Sequence, residues 1–261
     1  MTKILVTGGS GMVGSCIKEI VDDQNIWIFI SSKQCDLTNQ NEVDNLFKLK
    51  KPDYIIHLAA DVGGLFKNLS NLSEVFKNNI RMNENVLEAC NKYNVKRGIF
   101  CLSSCVYPDK PTKYPMNESM IYESSPHPSN EGYAYSKRMM EMQCRKYNEQ
   151  FGREYICLIP VNLYGPYDNF NIKTGHSIPS MIHRFYISKK NNSSFERYGT
   201  GNALRQFLFS KDFAKIILKT LFEYKSLKPI NCCDSESSIS EVTDLICKYS
   251  NFNSKNIINI D

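Results

Sequence analysis

A tyrosine and a lysine four residues apart are the first side chains in this sequence that could do chemistry. Tyr133 and Lys137 belong to the segment YAYSK, and on a helix residues separated by four lie on the same face. A nearby ammonium lowers the pKa of a phenol, so Tyr133 could give or take a proton during carbonyl reduction near neutral pH. The same spacing also arises by chance on surface helices, so the pair needs support from other segments.

Ser103 lies upstream of this pair, at the end of a predicted strand, in the segment CLSSCVYP. Active sites of α/β proteins assemble at the carboxyl ends of their strands. A hydroxyl at that point can hydrogen-bond a substrate carbonyl. The alternative is that Ser103 and Ser104 only end the strand and begin a turn.

A glycine-rich loop near the start of the chain predicts a phosphate site. It follows an apolar strand and opens directly into a helix with apolar periodicity. Glycine permits the tight turn and lets backbone N–H groups approach a pyrophosphate, which the positive end of the helix dipole stabilises. The alternative is an ordinary glycine-rich turn. The residues assigned to the cofactor are Gly8, Ser10, Gly11, Met12, Val13 and Gly14.

The stretch after the second predicted strand indicates which dinucleotide binds. It reads Ile30-Ser31-Ser32-Lys33, with no acidic residue to accept a hydrogen bond from a ribose 2′-hydroxyl. Lys33 offers a positive charge to a 2′-phosphate, so NADP(H) is expected in preference to NAD. The alternative is that Lys33 is an ordinary solvated lysine of a loop.

These candidates require a parallel sheet with helices between its strands, and the sequence predicts a doubly wound, Rossmann-like α/β fold. Residues 1–160 are the expected NADP-binding domain, and 161–261 a smaller substrate-binding region from which segments return to the first domain. The predicted strands are Lys3–Thr7, Ile26–Ile30, Tyr54–Leu58, Gly98–Ser103, Tyr155–Pro160, Phe195–Tyr198, Gln206–Phe209 and Pro229–Cys232. The predicted helices are Met12–Asp22, Asn41–Leu49, Glu74–Tyr93, Gly132–Phe151, Ile178–Ile187, Lys211–Tyr224 and Ser240–Tyr249.

Composition excludes several classes of protein. The chain has 261 residues, 42% of them hydrophobic and 23% charged, which are ordinary globular values. The net charge of +5 is spread over 32 basic and 27 acidic residues without a basic stripe, so no nucleic-acid partner is expected. No apolar run is long enough to cross a bilayer. The ten cysteines lack metal-ligand spacing, so we expect reduced thiols, no metal and a cytoplasmic location.

Four motifs in series carry a resemblance to a known family. They are VGGL at 62–65, SSCVYP at 103–108, PVNLYGPYDNF at 160–170 and GHSIP at 175–179. The glycine loop and the Ser103, Tyr133 and Lys137 set resemble the extended short-chain dehydrogenase/reductase superfamily. The four motifs narrow this to the GDP-L-fucose synthase family, and the match spans essentially residues 3 to 250.

The resemblance implies a reaction and roles. Members convert GDP-4-keto-6-deoxy-D-mannose to GDP-L-fucose by epimerisation at C3 and C5 and reduction of the 4-keto group by NADPH. By resemblance Cys105 is the base and His176 the acid of the epimerisation, and Tyr133 protonates the C4 oxygen. Cysteine chemistry requires thiolate character, and the alternative is that Cys105 is one more small buried hydrophobe.

The resemblance also implies contacts. Asn79 would support Lys137, and Asp36 would contact the adenine, although an aspartate before Leu-Thr is also a routine helix start. His57 is expected to be structural. Further cofactor contacts are Leu58, Ala59, Ala60, Pro160, Asn162, Leu163 and His176. Substrate contacts are Ser104, Cys105, Asn162, Arg184, Arg205 and Tyr198, the last standing where the family more often has tryptophan.

Two further expectations concern assembly and competence. Family members form homodimers by packing the segments Asn79–Tyr93 and Gly132–Phe151 into a four-helix bundle. They also continue beyond the position of Asp261, so a catalytically impaired NADP-binding protein is one alternative function. Another extended short-chain nucleotide-sugar epimerase or dehydratase is the second. A dehydratase usually carries an acidic pair beside its Ser/Tyr/Lys set, whereas here Cys105 follows Ser103 and Ser104.

Overall fold

A parallel sheet of six strands forms the centre of the molecule. The computed structural model describes residues 1–63 and 72–260. The sheet order is β2-β1-β3-β4-β5-β9, and each adjacent pair is parallel. Its strands are β1 (Lys3–Thr7), β2 (Ile26–Ile30), β3 (Tyr54–His57), β4 (Arg97–Cys101), β5 (Glu154–Pro160) and β9 (Ile230–Cys232). The order reverses between β1 and β3, which is where ligands bind in open α/β sheets. The predicted α/β class is confirmed.

Helices cover both faces of this sheet because successive strand residues point to opposite sides. On one face Ile4 and Val6 pack with α1 (Met12–Ile20) and α6 (Ser210–Glu223). On the other face Leu5 joins the buried residues of three helices, which are α2 (Gln40–Lys50), α3 (Leu72–Lys92) and α4 (Glu131–Phe151). These bounds lie within two residues of the predicted ones. No helix of the described residues is long and apolar enough to cross a membrane.

The remaining elements form a second, smaller cluster. A three-stranded sheet has the order β10-β8-β6, and a two-stranded sheet pairs β7 with β11. The strands are β6 (Asn162–Tyr164), β7 (Phe195–Tyr198), β8 (Leu204–Phe209), β10 (Ser235–Ser238) and β11 (Ile257–Ile260), and the helices are α5 (Ser177–Lys190) and α7 (Ile239–Ser250). Short 3-10 helices occupy Ser104–Val106, Glu118–Tyr122, Pro128–Asn130 and Ser254–Asn256. Stacked Phe185 and Phe195, with ring centroids 3.8 Å apart, lie in the apolar core of this cluster.

Arg97, the first residue of β4, anchors the late part of the chain to the central sheet. Its guanidinium donates to the carbonyl oxygens of Leu221 at 2.6 Å and Thr220 at 3.2 Å, and also to that of Tyr224. These carbonyls belong to the last turn of α6, where a cation offsets the negative end of the helix dipole. Arg97 also pairs with Glu154, whose side chain is half exposed. The residues after 160 therefore return to the first sheet through α6 and β9.

Replacement of Arg97 by methionine should destabilise the protein by about 1–3 kcal/mol, because three helix-end carbonyls lose a charged donor in a poorly exposed site. The matched control is Glu154→Gln, which removes the ion-pair partner but keeps the carbonyl contacts, and it should cost under about 1 kcal/mol. Urea denaturation followed by circular dichroism measures both. Equal losses in the two variants would contradict the anchoring role.

Candidate active site

One cavity of about 920 Å³ lies at the carboxyl ends of β1, β3, β4 and β5. Most of the residues singled out from the sequence line it. They are Gly8, Ser10, Gly11, Met12, Val13, Gly14, Asp36, Leu58, Ala59, Ala60, Ser103, Ser104, Cys105, Tyr133, Lys137, Pro160, Asn162, Leu163 and His176. Lys33, Asn79, Arg184, Tyr198 and Arg205 do not belong to the lining. Of the VGGL motif, Val62 and Gly63 line the cavity, whereas Gly64 and Leu65 lie outside the described residues.

The glycine turn has the shape that a diphosphate requires. Gly8 has φ +68°, and a Cβ there would lie 2.8 Å from the amide nitrogen of Ala59. A Cβ on Gly14 would lie 2.7 Å from the carbonyl oxygen of Gly8, so the turn closes only with glycine. Gly11 precedes α1 and offers no side-chain cap, which leaves the first N–H groups of the helix available to an anion. The turn therefore fits a dinucleotide.

Lys137 and Tyr133 are both buried on the face of α4 that meets β4. The ammonium of Lys137 donates a hydrogen bond of 2.8 Å to the carbonyl of Cys101, the last residue of β4. The same Nζ lies 5.6 Å from the centre of the Tyr133 ring. The predicted helical pairing is therefore present.

Lys137 does not lower the pKa of Tyr133 in this structure, so that prediction from the sequence is wrong. Burial raises the pKa of the Tyr133 hydroxyl well above its usual value, and the nearby thiols of Cys105 and Cys101 raise it further. Burial lowers the pKa of Lys137. The ammonium is directed at a carbonyl instead of the phenol oxygen, so desolvation decides the direction. Tyr133 therefore holds its proton at neutral pH and is suited to donate it.

Cys105 lies in the short 3-10 helix Ser104–Val106, whose N-cap is Ser103. The Ser103 hydroxyl oxygen accepts a hydrogen bond of 3.4 Å from the Cys105 backbone N–H. Burial raises the pKa of the Cys105 thiol to about 11, while the Ser103 hydroxyl and the Lys137 ammonium act in the opposite direction. Burial is the larger effect, so the thiol is protonated at neutral pH in this state.

His57 and Asn83 form a buried network that the sequence reasoning found only in part. The His57 Nδ1 lies 2.7 Å from the Thr7 hydroxyl, and its Nε2 lies 3.1 Å from the Asn83 amide oxygen. Burial lowers the pKa of His57 to about 3, so the ring is neutral, as its expected structural role requires. Asn83 also donates to the carbonyl of Ser136, which ties β3 to α4.

Asn79 does not contact Lys137, which corrects the expected support. Its amide oxygen accepts from the Asp61 backbone N–H at 3.0 Å, and its nitrogen donates to the Asp61 and Val75 carbonyls. Asn79 instead holds the segment that follows β3. The missed Asn83 lies one helical turn further along the same buried face of α3, and only that i, i+4 spacing hinted at it.

One end of the cavity is formed by the loop after β2. Ser31, Ser32 and Asp36 line it, whereas Lys33 is exposed and lies outside the lining. The Asp36 carboxylate accepts hydrogen bonds from the backbone N–H and the hydroxyl of Thr38, at 2.9 and 2.8 Å. Asp36 thus both faces the cavity and organises the turn that leads into α2.

Three predicted substrate residues lie outside the cavity lining. The Arg184 guanidinium stacks over the rings of Phe195 and Tyr198, at 4.9 and 4.8 Å from their centres, and donates to the carbonyl of Glu196. Arg205 is exposed and donates to the carbonyl of Leu204 at 2.7 Å. Tyr198 is 65% exposed.

The chain is similar to proteins of one family over nearly its whole length. Residues 4–233 match the NAD dependent epimerase/dehydratase family. A GDP-L-fucose synthase of Dictyostelium discoideum is 44% identical over 97% of this chain and 81% of its own length. A probable GDP-L-fucose synthase of Drosophila melanogaster is 40% identical over 98% of this chain and 84% of its own. The chain belongs to the GDP-L-fucose synthase family.

A solved structure of this family covers nearly the whole chain. The crystal structure of a GDP-L-fucose synthetase from Naegleria fowleri bound to NADP is 42% identical, with a TM-score of 0.93 over 99% of this chain and 80% of that chain. The similarity extends through the late segments that return to the central sheet. Both parts of the fold are therefore those of the GDP-L-fucose synthase family.

Alkylation of Cys105 by iodoacetamide should accelerate as pH rises, because the thiolate reacts and its fraction grows towards the thiol pKa of about 11. In a Cys233→Ser background, which removes the exposed cysteine, the rate should rise roughly tenfold per pH unit between about 7 and 10 without a plateau. Peptide mapping by mass spectrometry measures it. A plateau near the ordinary thiol pKa of about 8.5 would contradict the effect of burial.

Proposed function

We propose that this protein converts GDP-4-keto-6-deoxy-D-mannose to GDP-L-fucose with NADPH, inverting C3 and C5 and reducing the C4 ketone. The observation that carries the proposal is the presence of Cys105 and His176 in the same cavity as Ser103, Tyr133 and Lys137. A reductase needs only the last three residues. The relatives named GDP-L-fucose synthase support the choice of substrate.

NADP(H) fits the turn at Gly8, Gly11 and Gly14, where backbone N–H groups would hold its diphosphate. Asp36 and Ser31 would face the adenosine. Leu58, Ala60 and Leu163 supply apolar walls deeper in the cavity. When bound, NADPH supplies the hydride that reduces the C4 ketone.

Epimerisation needs a base on one side of the sugar and an acid on the other. The C4 ketone acidifies the adjacent C–H bonds, so the Cys105 thiolate can remove a proton while the electron pair moves to the ketone oxygen. The His176 imidazolium then gives a proton to the opposite face of that carbon, and the ketone re-forms. Solvent returns the His176 proton and removes the Cys105 proton before the second carbon is inverted.

The resting pKa of Cys105 sets a condition on this step. A thiol pKa of about 11 leaves little thiolate at neutral pH, so the bound ligands have to favour the charged form. The Ser103 hydroxyl and the Lys137 ammonium are the groups that act in that direction. In the free protein burial outweighs these two effects, so the charge distribution of the bound substrate and cofactor has to shift the balance.

Reduction uses the remaining groups. Ser103 donates a hydrogen bond to the C4 oxygen, and the Tyr133 hydroxyl gives that oxygen a proton as the C–H bond forms. The high pKa of Tyr133 keeps this proton in place until the developing alkoxide takes it. Lys137 then stabilises the phenolate, and its hydrogen bond to Cys101 fixes the ammonium on that side of α4.

The GDP moiety extends from this cavity towards α5 and β8. Ser104 and Asn162 line the cavity on this side, and Arg184 and Arg205, which lie outside its lining, would supply the cations for the diphosphate. Stacking on Phe195 and Tyr198 orients the Arg184 guanidinium before the nucleotide arrives.

We also propose a cytoplasmic homodimer. All ten cysteines are unpaired thiols, which suits a reducing compartment. Exposed Phe76 on α3 and Met139 on α4 support the dimer, because large apolar side chains favour burial in an interface. Phe76 packs beside Gly132, and Met139 lies two turns from Gly132, on the same side of α4. The segments Asn79–Tyr93 and Gly132–Phe151 would form the four-helix bundle.

The proposed reaction is tested by NMR analysis of the product after incubation with GDP-4-keto-6-deoxy-D-mannose and NADPH. GDP-L-fucose should form with one NADPH oxidised per sugar. Cys105→Ser should lower the rate of inversion by about a hundredfold or more, because a hydroxyl is a far weaker base. Cys233→Ser, which changes an exposed cysteine, is the control and should behave like the wild type. Absence of turnover with this sugar, together with activity on UDP-glucose, would refute the proposal.

Introduction of a charge by Met139→Glu should shift the protein from dimer to monomer, because the carboxylate would be buried in the bundle without a partner. Leu245→Glu is the matched control, since Leu245 is similarly exposed but lies on α7. Light scattering of both variants over a concentration series gives the masses. Dissociation of both variants, or a wild-type protein that is monomeric throughout, would count against this interface.

A further inference from the structure

The loop between β6 and α5 closes one side of the active-site cavity, and most of its residues are not part of the mechanism above. Tyr167, Asp168, Lys173 and His176 of this loop all line the cavity. His176 itself makes no hydrogen bond through its ring to another described residue. No described residue therefore orients this imidazole through a hydrogen bond.

The start of the loop is fixed to the central domain. Tyr167 has φ +66°, and its hydroxyl donates to the carboxylate of Glu19 on α1. Glu19 in turn pairs with Lys211 of α6 at 2.7 Å. A non-glycine residue in this backbone region costs free energy, so these contacts hold it in place.

The two ends of the loop are held against each other. The Gly175 N–H donates to the Asn171 carbonyl at 2.8 Å, and the Asn169 amide nitrogen donates to the Thr174 hydroxyl at 3.0 Å. A Cβ on Gly175 would lie 2.2 Å from the Asn169 carbonyl oxygen, so residues 169 and 175 touch through their backbones. Their outer neighbours, Asp168 and His176, are brought together as a consequence.

Asp168 has one carboxylate oxygen in use and one without a partner. Its Oδ1 accepts from the Asn169 N–H at 2.7 Å. Its Oδ2 is buried and has no hydrogen-bond partner. A buried carboxylate oxygen without a donor is costly, and such an atom calls for an explanation.

One ionisable side chain acts on the Asp168 carboxyl group. Burial raises the pKa of Asp168, whereas the hydrogen bond from the Asn169 backbone and the charge of His176 lower it. Nearby Lys173 faces the cavity from the same loop, and Lys137, Tyr133 and Cys105 face it from α4 and the Ser104–Val106 turn. His176 is thus the ionisable neighbour that acts on Asp168.

We propose that Asp168 is a positioning residue for His176. In the proposed arrangement a rotation of the imidazole lets one of its nitrogens donate to Oδ2, which has no other donor, and this orients the ring and directs the other nitrogen towards the substrate. In this role Asp168 acts on proton return through His176. This inference rests on the proposed function for the identity of the reaction, but the contact between Asp168 and His176 can be tested in the free protein.

The pair is tested first without any substrate. Nitrogen-15 labelling of histidine gives signals from only four side chains, and His176→Gln assigns the one of interest. We expect a single ring tautomer for His176 in the wild type and a mixture in Asp168→Asn, because a neutral amide no longer favours one protonated nitrogen. Asp212→Asn, on the exposed face of α6, is the control and should leave the His176 signal unchanged. An unchanged signal in Asp168→Asn would overturn the pairing.

The consequence for catalysis is tested by deuterium incorporation from heavy water at C3 and C5. Asp168→Asn should slow incorporation at least about tenfold, with KM for the sugar nucleotide and Kd for NADPH changed by less than about threefold. Asp168→Glu keeps a carboxylate and should recover part of the loss. A folded Asp168→Glu as slow as Asp168→Asn, or loss of NADPH binding in both variants, would indicate a structural role and overturn the proposal. A wild type that never turns over the sugar refutes the function instead, and the histidine spectra still decide the pairing.

Discussion

Lys137 is only 1% exposed, and its ammonium is held by a hydrogen bond to the Cys101 carbonyl. Removing a charge from water is expensive, so this contact requires α4 to sit against the end of β4 in one register. Tyr133, one turn earlier on α4, and Cys105, which follows β4, are thereby placed in the same cavity. The field of the ammonium also helps keep the nearby His57 neutral.

Burial dominates the acid–base state of this cavity. It raises the pKa values of the Cys105 thiol and the Tyr133 hydroxyl, and the Lys137 ammonium does not compensate for the loss of water. Both groups therefore keep their protons at neutral pH. At neutral pH such a thiol reacts slowly with oxidants and electrophiles, because little of it is thiolate.

The sequence was sufficient for features that depend on local pattern. Apolar runs between segments of helical periodicity predict the central sheet, because buried parallel strands are continuously hydrophobic. The glycine turn can be recognised because only glycine closes it. Strands β6 and β10 were missed because the first has three residues and the second reads SESS, with no apolar side chain. β11 is not among the predicted strands either, because its pairing with β7 is visible only in three dimensions. The direction of the Tyr133 pKa could not be predicted either, since it depends on burial and on where the Lys137 ammonium points.

The contacts of Arg97 join β4 to carbonyls 123 to 127 residues later in the chain, and β9, at the edge of the central sheet, is reached only at Ile230. During synthesis the first strands and the glycine turn leave the ribosome long before these partners exist. The nucleotide-binding half therefore has to wait, partly assembled and with apolar surface exposed, until most of the chain has been made. Such a chain is expected to depend on chaperones during translation more than one whose sheet closes from consecutive segments.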